Sequence, residues 1–229
     1  MYWWDPTYIL VLIGAAISGI ASLNVNSTFA AYKRTLNRQG LSANEVAMMI
    51  LHNAGIYDVR IERIRGNLTD HYSPTERVLR LSDTVYNSRS VAAIGVAAHE
   101  CGHAIQHMIG YGPLKLRSCA VPVANIGSTL SWPVILVGLF LGQPGIARAG
   151  VLLFTFVVIF QLITLPVEFD ASMRAISILD DSQILAYDEL RGAKKVLKAA
   201  ALTYVAALFS TLLQLLRLVL IVNRSNRRD

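Results

Sequence analysis

The sequence predicts a mainly α-helical membrane protein, with about four transmembrane helices and one small α+β domain between the first and the second. Three observations carry that reading. Hydrophobic residues fill 54% of the 229 positions and mean hydropathy is +0.46, above the level of an ordinary soluble domain. Four stretches are apolar over the roughly 20 residues a helix needs to cross a hydrocarbon core of about 30 Å. After the first of them comes a charged segment whose hydrophobic period changes from helical to alternating and back, as an α+β unit requires.

Residues 1–32 hold the first transmembrane helix, uncharged from Pro6 to Tyr32. Neither Lys nor Arg precedes it and no small-residue cleavage pattern stands after it, so it reads as a retained anchor and not a removed signal peptide. Trp3, Trp4 and Tyr8 suit the bilayer interface, where a ring with one polar edge is comfortable.

Residues 33–117 form the small domain. Lys33 to Gly40 is a polar, basic turn. Ser42 with Glu45 makes a capping box for a short helix that stops at Gly55, with Val46, Met49, Ile50 and Asn53 as its inner stripe. Val59, Ile61 and Ile64 alternate with charged residues as in a half-buried strand. Leu68 to Tyr72 and Arg77 to Leu81, separated by the turn Ser73-Pro74, extend this to a sheet of two or three strands. A helical run comes next, from Ser90 to Ile109, with Asn87 and Ser88 as candidate caps and Gly110, Gly112 and Pro113 at its end.

Residues 118–167 read as a transmembrane hairpin, Ser118–Ala147 and Ala149–Val167, turning at Gln143-Pro144-Gly145. A hairpin returns the chain to the side it left, so the segment after Val167 can meet the segment before Ser118. Residues 168–198 read as a helical segment started by Pro166, with Glu168 and Asp170 in its first turn, where the helix dipole alone would favour acidic groups. Residues 199–222 form a fourth transmembrane or membrane-associated helix that carries Gln214 and Arg217. Residues 223–229 are a basic tail.

The net charge of +6 does not point to nucleic acid. Lys33, Arg34, Arg38, Lys115, Arg117, Lys194, Lys195 and Lys198 border apolar spans, where cytoplasmic positive charge sets orientation. No Gly-rich phosphate loop, RNA-binding signature or zinc finger is visible. The expected surroundings are a lipid bilayer, with several passes through the cell membrane and the charged domain in the cytoplasm. Arg224, Arg227 and Arg228 run against that bias if the last segment spans. Cys101 and Cys119 read as small buried hydrophobes and not as a disulfide.

The chemistry concentrates in His99-Glu100-Cys101-Gly102-His103, the H-E-x-x-H pattern. Two histidines four apart project from one face of a helix and can grip one Zn2+, while the adjacent Glu100 can act as general base on water. His107 drifts about 40° from that face per step and is a candidate for a supporting role or a third ligand. His52 has no partner at metal spacing, and His71 reads as a surface residue. A catalytic zinc site commonly adds a carboxylate to two histidines, and Glu168, just past the hairpin, is the candidate.

Asp70-His71-Tyr72, Arg77 to Ser82, Val85 to Ala93, His99 to Gln106 and Leu165 to Ser172 together resemble the YugP-type membrane zinc metallopeptidases of bacteria over nearly the whole chain. The resemblance implies a neutral zinc metallopeptidase with His99, His103 and Glu168 as ligands and Glu100 as base. The wider group is similar to the HtpX-type membrane proteases, whose Glu ligand is followed four residues later by an Asp that supports a ligand histidine. Here that position is Ser172; Asp170 is a candidate substitute, although two residues after Glu168 it would face away on a regular helix. The expected function is a membrane-embedded, zinc-dependent endopeptidase acting on membrane or juxtamembrane protein or peptide substrates, whose strand edge beside the metal could bind an extended chain. A catalytically silent zinc-binding scaffold is the rival of a different class. An intramembrane protease would need the histidine motif inside a span, yet charged strands precede it. For the oxyanion, Arg174, Tyr111 and His71 are candidates.

Overall fold

The computed structural model describes residues 5–225. Its element order is α1 (Tyr8–Tyr32), α2 (Ala43–Asn53), β1 (Arg60–Ile64), β2 (His71–Ser73), β3 (Val78–Ser82), α3 (Val91–Met108), α4 (Gly112–Phe140), α5 (Pro144–Asp181) and α6 (Tyr187–Ser225). α1, α4, α5 and α6 are each long and apolar enough to cross a membrane, so the mainly α membrane architecture with a small α+β portion is borne out. Trp3, Trp4, Arg227 and Arg228 lie outside the described residues.

The chain divides into two compact units. The first comprises residues up to Ser22, Leu116–Leu165 and Thr203 onward. Its helices leave large apolar side chains such as Leu12, Leu152 and Phe140 exposed, as lipid-facing surfaces do. A small cluster of Ile135, Phe154, Val158 and Leu218 is buried between α4, α5 and α6. Close helix contact replaces bulk at the hairpin: a Cβ added to Gly138 would sit 2.3 Å from the backbone nitrogen of Ala147, the kind of approach that small residues permit between membrane helices. Arg217 stacks on the Tyr8 ring at 4.3 Å, and Arg224 pairs with Asp5 at 3.6 Å.

The second unit comprises Leu23–Lys115 and Pro166–Leu202. β3 is the central strand: β1 runs parallel to it, pairing Arg60 with Val78 through Ile64 with Ser82, and β2 runs antiparallel on its other edge. Val78, Leu79 and Leu81 are fully buried because strands covered on both faces lose the alternation of half-exposed ones. α2 packs Ala43, Val46, Ala47, Ile50 and Leu51 inward. The expected stripe is therefore rotated: Met49 and Asn53 are exposed, since Ala47 and Leu51, not Met49, continue the i, i+4 row from Ala43. Glu45 accepts from the backbone N–H of Ser42 at 2.8 Å, and Gly55 takes φ +74 after the helix, as the capping signals predict.

Three local expectations are corrected. The cap of α3 is Ser90, whose Oγ accepts from the Ala93 N–H at 3.3 Å, and not Asn87 or Ser88; the Ser88 hydroxyl bonds to the Ser90 hydroxyl instead. Pro166 does not start a helix. It lies inside α5, which runs unbroken to Asp181, because a proline removes only one backbone donor and neighbouring groups in a membrane bundle tolerate the loss. Glu168 and Asp170 are mid-helix residues, so a helix N-terminus does not account for them. Likewise α6 is one helix from Tyr187 and includes the segment expected to precede the fourth span.

Candidate metal centre

α3 presents His99 and His103 one turn apart, their rings edge to face with centroids 4.8 Å apart. The helix is buried almost throughout, from Val91 to Gln106, which holds both rings between rigid neighbours. α5 brings Glu168 to them. Its Oε2 lies 3.3 Å from His99 Nε2 and 3.5 Å from His103 Nε2. Gly102 makes this possible, because a Cβ there would come within 2.6 Å of the Ala171 carbonyl oxygen on α5. Among the described residues, His99, His103 and Glu168 are a group of potential ligands whose donor atoms all lie within 4.8 Å of one another.

The donor set fits zinc. Two nitrogens or oxygens bound to one tetrahedral Zn2+ lie about 3.4 Å apart, given bond lengths of about 2.0 to 2.2 Å, and both nitrogen-to-oxygen separations match. The outer nitrogens are also engaged, as metal-ligating imidazoles usually are. Ser172 Oγ lies 3.1 Å from His99 Nδ1, so the hydroxyl stands where the resemblance led one to expect an Asp. His103 Nδ1 lies 3.0 Å from Gln106 Oε1. Gln106, fully buried, donates to the Val167 carbonyl at 2.9 Å and to Asp170 Oδ2 at 2.7 Å. Asp170, the candidate substitute for the supporting carboxylate, thus reaches the site through the Gln106 amide, on the side of His103.

The remaining candidates sort clearly. Glu100 is buried, 8% exposed. Burial alone would lower the pKa of His103, but its bond to Glu168 and the nearby Glu100 charge raise it. Burial, with Glu100 adding to it, raises the Asp70 carboxyl, which accepts from the Ser82 backbone N–H at 2.7 Å. His107 Nδ1 lies 2.8 Å from the Tyr72 hydroxyl and is outside the group of potential ligands; with Tyr72 it lines a cavity of about 230 Å³. His52 packs on Tyr57. His71 is exposed beside the Thr69 carbonyl. Arg174 is committed to Asp170 through Nε at 2.6 Å and lies 5.8 Å from the Tyr111 ring. Cys101 is fully buried and burial pushes its thiol well up, while Cys119 is exposed on α4 and is not the small buried hydrophobe expected, because it lies on the outer face of a helix long and apolar enough to cross a membrane.

The family described as "Putative neutral zinc metallopeptidase" matches residues 7–223. The chain belongs to this family. It is also similar to the "Putative membrane protease YugP" of Bacillus subtilis (strain 168), 46% identical over 212 residues that cover 93% of this chain and 94% of that protein. No solved structure matches. In this member of the neutral zinc metallopeptidase family, the residue that sequence reasoning missed is Gln106. Its signal was a polar side chain three residues after His103 and so on the same face of the helix.

Proposed function

We propose that the protein is a membrane-embedded, zinc-dependent endopeptidase. His99, His103 and Glu168 would hold one Zn2+ and Glu100 would be the general base. The supporting observation is the meeting of two Nε2 atoms and one carboxylate oxygen at tetrahedral-edge distances, with a buried glutamate next to the first histidine. Bound zinc supplies Lewis-acid polarisation and lowers the pKa of water towards neutrality. Glu100 then takes a proton from the attacking water and passes it to the leaving amine, a role worth about 10² to 10⁴ in rate. Ser172 and Gln106 keep the two imidazoles aimed.

Residues 33–117 and 168–198 make up the peptidase part, and the apolar spans make up the membrane part. Glu168 comes directly after the apolar run Ala149–Val167, so at 1.5 Å per residue the site falls within roughly 5 to 10 Å of the end of that run. The substrates are membrane proteins or their juxtamembrane loops, met on the cytoplasmic side that the basic flanks favour. Purified protein in micelles should contain one zinc, cleave a juxtamembrane peptide library and lose cleavage to a chelator, with zinc restoring it. Bound zinc with no cleavage of any peptide would leave the silent scaffold as the reading. A cysteine placed beside Lys33 and labelled only after the membrane is opened would support the orientation.

A further inference from the structure

Gln106 stands out as a buried polar residue whose three contacts all have one permitted direction. Its nitrogen faces the Val167 carbonyl and the Asp170 carboxylate, and both of these can only accept. Asp170 is itself held by the Arg174 guanidinium, which keeps it an acceptor. The amide therefore cannot be flipped without setting its oxygen against two other oxygens. Its Oε1 must point at His103 Nδ1, and an amide oxygen can only accept. The proton of the neutral imidazole then sits on Nδ1 and the lone pair on Nε2, which is the nitrogen 3.5 Å from Glu168 Oε2.

We propose that Gln106 is a positioning residue that sets the tautomer of His103 and, through Val167 and Asp170, ties it to the turn of α5 that carries Glu168. Each bond in the chain has one permitted direction, Arg174 and Gln106 donating to Asp170 and His103 donating to Gln106, and in the neutral ring this leaves the lone pair on Nε2. His99 lacks such a device: the Ser172 hydroxyl can donate or accept, so it orients that ring without deciding its proton. The proposal rests on His103 being a ligand, as proposed above.

The experiment uses the full chain in micelles, as wild type and as Gln106→Met, which keeps the side-chain bulk and removes all three hydrogen bonds. Zinc affinity is measured by chelator competition, and the His103 tautomer by nitrogen NMR of the zinc-free protein above the imidazole pKa. The expected result is a proton on Nδ1 of His103 in wild type, a mixed or reversed tautomer in the variant, and a 10- to 100-fold weaker zinc affinity. The zinc-free melting temperature of the variant is measured alongside, and Gln106→Asn serves as a second variant if Gln106→Met unfolds. A wild-type His103 protonated on Nε2, or a folded variant with wild-type zinc affinity, overturns the proposal. Tautomer and affinity changes in a protein that cleaves no peptide would uphold it while removing the endopeptidase reading.

Discussion

Among the described residues, the buried side-chain atoms that lack a hydrogen-bond partner are Ser131 Oγ, Gln161 Oε1 and Arg217 Nε, and all three belong to the unit built from the apolar spans. In the other unit, Gln106 joins His103 to Asp170 and Ser172 bonds to His99, so both imidazoles have a hydrogen-bond partner on the outer nitrogen. The contrast teaches where each unit puts its precision. A half-satisfied polar network in a low-dielectric interior costs more than an apolar one and loses its geometry, so the proposed three-donor site depends on partners for its imidazoles. The spans instead need close approach of backbones, which Gly138 supplies without any polar group.

The contrast between the units can be broken at several points. The largest effect is expected from Glu100→Gln: peptide cleavage should fall about 10²- to 10⁴-fold with zinc content and melting temperature held. Near-wild-type turnover would remove Glu100 from the chemistry. Next come two equivalent changes in the two units. Gly102→Ala and Gly138→Ala each force a backbone apart and should each cost about 1 to 3 kcal/mol of stability, read by thermal unfolding. Only Gly102→Ala should also weaken zinc binding, because it alone separates α3 from the helix carrying Glu168. Equal zinc affinities in the two variants would show that the site does not depend on that contact. Ser172→Ala removes a single hydrogen bond of about 0.5 to 1.5 kcal/mol and should weaken zinc about 2- to 10-fold by competition titration. The smallest effect belongs to Gln161→Leu. It deletes an orphaned oxygen, and Thr211, which loses the Gln161 amide, keeps its own bond to the Ala207 carbonyl. Stability should change by less than about 1 kcal/mol, whereas a large loss would mean the spans depend on polar pairing after all.

Much of this is legible without coordinates. Helix spacing is a local rule, so His99, Glu100 and His103 can be read together from five letters, and the length of apolar runs is enough to count spans. The capping box at Ser42 and Glu45 and the left-handed Gly55 are equally local. A proline after an apolar run looks like a helix start, and nothing in the letters near Pro166 says that α5 continues through it. Met49 falls outside the buried stripe because the direction of a helix's buried face depends on what packs against it. The parallel pairing of β1 with β3 is equally hidden, since β2 lies between them in the chain but at the far edge in space.

By itself the sequence determined four membrane-length apolar helices, a charged α+β insert and two imidazoles on one helical face, because each arises from periods of two or 3.6 residues within a single segment. Only the tertiary structure decided that Glu168, more than sixty residues away, meets both rings, that Ser172 and Gln106 stand behind them, and that Gly102 allows the two helices so close. Those are contacts between segments, set by packing and by the need of buried polar groups for partners, and no local period encodes them.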